Sequence, residues 1–293
     1  MRDGFDPHVH VAPDFVPRRI TDLELAGRCA EVGLAGFGLK SHYGATAERA
    51  AVVNAVASSG VRALGTITLN DAVGGLNAVA VEVAARQGAR IVWLPTVSAP
   101  GEHAEVEAAD PDGRVPVWVR FELELRAAGV KPRAVPVLGE NGKPLAALLE
   151  VLEVVAHHDI VLATGHLSRD EVFPVVDAAV AAGVGTIVIT HPEFPSQSIS
   201  PEDQRELADR GALMERCFTT AYTGKCSWEQ VFTATRAVGA TRTVWGSDLG
   251  QVFNPPVEDG LALMADLFLQ AGFSEQEVDL MAVQNTRRLA GVE

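Results

Sequence analysis

The residues best suited to chemistry are histidines whose positions let them meet around one ion. His8 and His10 stand two apart in FDPHVH, His166 ends ATGH, His191 lies in ITHPE and Asp248 in WGSDLG. Imidazole and carboxylate together suit divalent cations of borderline softness: zinc, manganese, iron or nickel. Residues two apart on an extended chain point the same way, so His8 and His10 can grip one ion. The remaining ligands must come from other segments, because a cation has to be surrounded. Three or four protein ligands with one position open describe a catalytic site, not a closed structural one. An H-x-H pair alone is a weak pattern; with two further histidines and an aspartate at the ends of later segments it becomes a constellation.

Those segments are short apolar runs rich in β-branched residues. They start near positions 4, 35, 61, 89, 159, 185, 211 and 242. Each is continuous rather than alternating, as in strands covered on both faces, which means a parallel sheet under helices. Helix signals fill the gaps. Thr21 with Glu24, Ser168 with Glu171 and Ser274 with Glu277 have capping-box spacing, and Ser200 precedes Pro201. Gly33, Gly60, Gly88 and Gly183 stand where helices should stop. Six of the seven gaps fit one strand plus one helix, and eight such units predict a (β/α)8 TIM barrel formed by residues 1–293 as one domain. The long gap carries an insertion over 98–145, read as a hairpin-like excursion on the barrel mouth before a helix near Leu145–Ala156. It is either a surface decoration or a substrate lid.

Barrel enzymes work at the C-terminal ends of their strands. His8, His10, His42, His166 and His191 fall at such ends, and Asp248 ends the eighth run. Parity puts His166 on the side of Leu162 and Thr164, and His191 on the side of Ile187 and Ile189. Lys40 and His42 follow Gly36 and Gly38 on one face, and these small residues let a long lysine reach across the mouth. Glu215 points inward with Leu213, and as a buried carboxylate it needs a partner. His42, Glu215, Asn70 and Arg18 are candidates for substrate contact. Thr96 is read as core hydrogen bonding, and Arg19, like Arg18, either holds a substrate carboxylate or flanks a helix at the surface. His103 lies in the insertion, His157 and His158 on the opposite face, and Cys217 is read as an inert buried thiol.

The set FDPHVH, ATGH, ITHPE and WGSDLG resembles the amidohydrolase superfamily of metal-dependent hydrolases, through the whole barrel. The ending VQNTRRLAG is similar to the closing helix of that superfamily. GLKSHYGATAERA, TLNDAVGGLN and VWLPT resemble an uncharacterised branch of it. The resemblance implies that His8, His10, His166, His191 and Asp248 form the metal site, with zinc the first choice of one or two ions. It also implies an amide, cyclic amide or lactone as the bond cleaved. Binuclear members bridge their metals with a carboxylated lysine ending strand four, but RIVWLPTV has no lysine. Either Lys40 bridges from strand two, or takes a substrate-binding role there, or the site holds a single metal.

The expected reaction is hydrolysis by a metal-activated water, with Asp248 carrying the proton and Lys40 and His191 assisting. Metal-assisted decarboxylation and phosphoester hydrolysis are the alternatives on the same scaffold. The chain has 38 acids, 24 bases and a net charge of −14, which disfavours a nucleic-acid partner. With 47% hydrophobic residues it is not a disordered chain. Three cysteines make no disulfide framework, and neither a signal peptide nor a membrane span is visible. A cytoplasmic enzyme of a small-molecule substrate, pairing as a homo-oligomer, is expected.

Overall fold

The computed structural model describes residues 1–57, 60–108, 115 and 117–292. Eight strands appear where the apolar runs place them: β1 (Phe5–Val9), β2 (Gly36–Leu39), β3 (Arg62–Thr68), β4 (Ala89–Trp93), β5 (Val161–Ala163), β6 (Ile187–Ile189), β7 (Leu213–Cys217) and β8 (Thr243–Gly246). They form one sheet in sequence order, and every pair of neighbours is parallel. The ends meet through a parallel bridge between Val9 and Leu249. There His10 N donates to Leu249 O and Asp248 N donates to His8 O, both at 2.8 Å. The result is a TIM barrel.

The unbroken apolar runs have a direct use: both faces of each strand are buried. Ile67, Val92, Leu162, Ile189 and Met214 pack outward against helix residues such as Val151 and Val176. Ile91, Trp93, Val161, Ala163, Val188 and Val244 fill the interior. Full burial of one such side chain stabilises by about 1.5–3 kcal/mol.

The capping signals hold. Thr21 opens the helix Asp22–Val32 and Ser168 opens Arg169–Ala181, each with a complete capping box. Ser200 accepts from Asp203 N at the start of Pro201–Asp209, and Ser274 caps Glu275–Asp279. Each such cap is worth about 1 kcal/mol. Gly33 ends the first of these helices at φ 81°, a conformation that suits glycine.

The segment between β4 and β5 departs from expectation. Instead of a hairpin-like excursion it carries the helices Pro100–Ala108 and Val117–Ala127. In VWVRFELELRA the β-branched start suggests a strand. The Glu, Leu and Arg that follow are strong helix formers, and the buried Val119 and Glu122 are three apart, a helical spacing. Part of the expected excursion, residues 109–114 and 116, lies outside the described residues. The GENG turn does fold back, through an antiparallel bridge between Leu138 and Pro144, before the helix Ala146–His157. No helix among the described residues is long and apolar enough to cross a membrane.

Candidate functional site

The β1–β8 seam builds the centre of the site. His8 is fully buried in β1, and His10 follows just past its end. Both Nε2 atoms converge on Asp248 Oδ1, at 3.2 Å and 3.0 Å. Asp248 stands at φ 53°, an unusual conformation for a residue with a side chain. The seam holds it there through the hydrogen bond of its N–H to His8 O. Such locally costly backbone is concentrated at functional sites. Gly246, one turn of the pleat earlier, must lack a side chain. An added Cβ would lie 2.8 Å from Glu215 Oε1 and 2.9 Å from His8 Cβ.

Glu215 Oε1 is 3.0 Å from His8 Nδ1, and Lys40 Nζ is 2.9 Å from His8 Nε2. A proton on His8 Nδ1 faces Glu215, so loss of the other ring proton would turn the Nε2 lone pair toward the mouth. Lys40 extends inward above Gly36 and Gly38, and its ammonium stands 5.2 Å from the centre of the Trp93 ring. His10 stacks on His42, with centroids 4.9 Å apart. His166 and His191 lie edge to face at 4.9 Å, and His191 is 6.2 Å from His8. Five histidines, Lys40, Asp248 and Glu215 therefore share one mouth.

Charge and burial set their protonation. Burial alone would raise the Asp248 carboxyl, but the charge of His8 and hydrogen bonds from His10 and His8 hold it well below the usual range. Burial, then Arg18, pushes His10 down. Burial, with neighbouring histidines and Lys40, does the same to His42 and His191. Burial and Lys40 also pull on His8, yet Glu215 and Asp248 outweigh them and raise it. Burial lowers Lys40, against the attraction of Asp248 and Glu215. The lowered His10, His42 and His191 are kept neutral, as imidazole ligands of a divalent cation must be, whereas His8 would release a proton on binding one.

The remaining candidates divide. Arg18 reaches the site: its Nε donates to Asp14 at 2.6 Å, and its Nη2 lies 3.4 Å from His10 Nδ1. Asn70 is a strut beside it. Its Nδ2 donates to His42 O and Thr96 Oγ1, and its Oδ1 accepts from Thr96 N and Ser98 N. Thr96 Oγ1 is also 2.8 Å from His42 Nδ1. Arg19 instead donates to Val252 O and Asn254 O outside the cluster. His103 meets Pro132 O and Arg126, and His158 pairs with Glu82.

Two residues depart from the alternation of their strands. Leu162, Ile187 and Ile189 pack under the helices, so simple parity would send His166 and His191 outward. Both rings nonetheless reach the mouth. β5 and β6 end at Ala163 and Ile189, and the chain then turns through Gly165 at φ 64° and His191 at φ 25°.

Several partners escape the sequence. Gln197 Nε2 donates to His191 Nδ1 at 2.9 Å, while Gln197 Oε1 is buried and unpartnered among the described residues. Turning that amide over would place Oε1 on an Nδ1 proton and free His191 Nε2. Glu102 Oε1 is 3.3 Å from His166 Nδ1 and accepts from Ser196 Oγ at 2.6 Å. Cys217 Sγ lies 3.6 Å from His8 Nδ1, and burial keeps its thiol protonated. None of these belongs to a pattern readable from spacing; Gln197 and Glu102 come from a loop and an inserted helix.

The comparisons bear on this arrangement. The profile of a family of unknown function (DUF6282) matches residues 3–215. No curated protein matches the chain. Solved structures share the barrel at low identity. An amidohydrolase from Pseudomonas aeruginosa superposes with TM-score 0.62 at 12% identity, covering 99% of this chain and 97% of its own. Amidohydrolase 2 from Bifidobacterium longum subsp. infantis gives TM-score 0.54 at 15% identity, covering 100% of both chains. A zinc-bound amidohydrolase from Burkholderia multivorans gives TM-score 0.53 at 12% identity, covering 99% of both. At this identity the shared property is the fold, which is the fold that the motifs imply.

Proposed function

The chain belongs to the family of unknown function DUF6282, and from its site we propose a metal-dependent hydrolase that opens an amide, cyclic amide or lactone bond in a small molecule. One observation carries this reading: His8 Nε2 and His10 Nε2 both converge on Asp248 Oδ1, at 3.2 Å and 3.0 Å, at the barrel mouth. Their donor atoms lie close enough together to share one ion. Beneath them Glu215 Oε2 is buried without a hydrogen-bond partner among the described residues. A buried carboxylate oxygen left so is costly, and a nearby cation relieves it. The donor set therefore fits a divalent metal. His8, His10 and Asp248 would hold it, with His166 and His191 available from the ends of β5 and β6. Zinc is the first choice, and manganese, iron and nickel accept the same donors.

A bound divalent cation supplies Lewis acidity and acidifies water toward a pKa of about 7. The chain's own residues do the rest. Asp248, ionised at neutral pH, takes the proton of the attacking water and returns it to the leaving group. Glu215 fixes the His8 ring through Nδ1, as a partner behind a liganding histidine does. Arg18 and His42 flank the open side and orient the substrate. Lys40 would help to hold a second ion if carboxylated, and as an amine it would face the substrate instead. A second ion would show as a metal count that rises with bicarbonate; indifference to bicarbonate would leave Lys40 as an amine.

The test strips the protein with a chelator and reloads it with zinc, manganese, iron or nickel. Each form is assayed in ¹⁸O water against amides, cyclic amides and lactones. Hydrolysis should need the metal and place one solvent oxygen in the carboxylate product. Equal turnover by the stripped protein would overturn the proposal. Carbon dioxide release without label would replace it with a decarboxylase, and turnover of phosphoesters alone with a phosphoesterase.

A further inference from the structure

Resting on the hydrolase reading above, we infer that a cavity beside the histidine cluster is the subsite for the non-reacting end of the substrate, and that this end is an apolar group carrying an ammonium. The cavity has a volume of about 300 Å³ and lies between the segments following β2, β3 and β4 and the helix Val117–Ala127. That is the lower end of the range for small-molecule pockets. Its apolar wall includes Val97, Phe121, Leu125 and Pro132. Asn70 separates it from the cluster: that residue lines the cavity and also holds His42 O, and His42 stacks on His10.

Two lining side chains carry buried polar atoms with no hydrogen-bond partner among the described residues, Glu122 Oε2 and Tyr43 Oη. Glu122 is 2% exposed. A carboxylate oxygen accepts only, so it selects a donor; the phenol can give or take. The neighbouring groups are engaged in part. Arg126, one helical turn on from Glu122, places Nη2 3.2 Å from His103 Nε2, while its Nε is buried and makes no hydrogen bond among the described residues, to Glu122 included. Asp71 is paired with Arg133 at 3.0 Å, and Ser98 Oγ accepts from Asp71 N. Lys131 is an exposed residue at the cavity's lip. An anionic ligand would meet the unpartnered Glu122 oxygen, while Asp71 is already paired with Arg133. An ammonium on an apolar stem gives Glu122 its missing donor and leaves the stem against Leu125 and Val97.

The test uses benzylammonium, benzyl alcohol and benzoate as probes, titrated into the full chain by ligand-observed NMR. It is run on chelator-stripped and on zinc-loaded protein. Benzylammonium should bind about tenfold or more tightly than benzoate. Glu122→Gln should weaken benzylammonium about tenfold and leave benzyl alcohol nearly unchanged. Tyr43→Phe should have a smaller effect of the same kind. Leu125→Phe, which narrows the cavity and keeps every charge, should weaken benzylammonium and benzyl alcohol alike, and it decides the matter if the Glu122 variant does not fold. Equal binding of benzoate, or unchanged benzylammonium affinity in Glu122→Gln or Leu125→Phe, would overturn the subsite. Because the preference is read in stripped protein too, failure to bind metal overturns the hydrolase reading without touching this result.

Discussion

Asp248→Asn is expected to lower kcat by about 10³-fold, within the range for loss of a general acid–base group, while most of the metal stays bound. Asparagine keeps an oxygen in the place of Oδ1, where His8 and His10 Nε2 now converge. It cannot take up a proton. Position and protonation state both support the proposed role of Asp248 as proton carrier. It stands at the mouth on the β1–β8 seam, and the charge of His8 with the hydrogen bonds of His10 and His8 overcome burial to keep it ionised. Steady-state kinetics on whichever amide or lactone is turned over, with metal content measured on the same sample, separates the roles. Turnover within about threefold of the parent would remove Asp248 from proton transfer. Loss of metal in parallel with activity would make it a ligand first.

The second large effect concerns stability. Arg216→Met is expected to cost about 3–5 kcal/mol of unfolding free energy, the usual penalty for stranding one partner of a buried ion pair. Arg216 is fully buried on β7, next in sequence to Glu215 but on the opposite side of the strand. Its guanidinium meets the Glu193 carboxylate, and Nη1 donates to Gln204 Oε1 at 2.6 Å. Burial already raises the Glu193 carboxyl even with Arg216 beside it. Without Arg216 that charge would be unpaired two residues from His191. Urea unfolding reads the loss directly, and Arg216→Met with Glu193→Gln should recover much of it. A single variant within about 1 kcal/mol of the parent would show that the pair holds little of the barrel together.

The strands were legible because burial on both faces writes a continuous apolar run, and the helix starts because Thr21, Ser168, Ser200 and Ser274 carry their caps in sequence. Within the site, Lys40 and Glu215 follow the alternation of their strands, whereas β1 shifts register between Asp6 and Val9, around His8, and Asp248 lies past the end of β8 at φ 53°. His166 and His191 were legible as residues ending strands but not as inward ones. Their strands are only three residues long in the structure, and turns at Gly165 and His191 itself redirect the chain. Gln197, Glu102 and the Arg216–Glu193 pair were illegible. Each depends on a contact between segments that no period or motif connects. The inserted helix Val117–Ala127 was misread because its opening valines and tryptophan favour a strand locally, while its burial follows a helical spacing.

The central claim is that the convergence of His8, His10 and Asp248 is a metal site. It is tested most directly by elemental analysis of the purified chain after zinc loading and exhaustive dialysis, beside His8→Gln/His10→Gln prepared identically. The parent chain should retain one or two tightly held divalent ions, and the double variant, which has lost two of the ligands, less than about a tenth of that. A parent chain that retains no metal, or a double variant that retains as much as the parent, would contradict it.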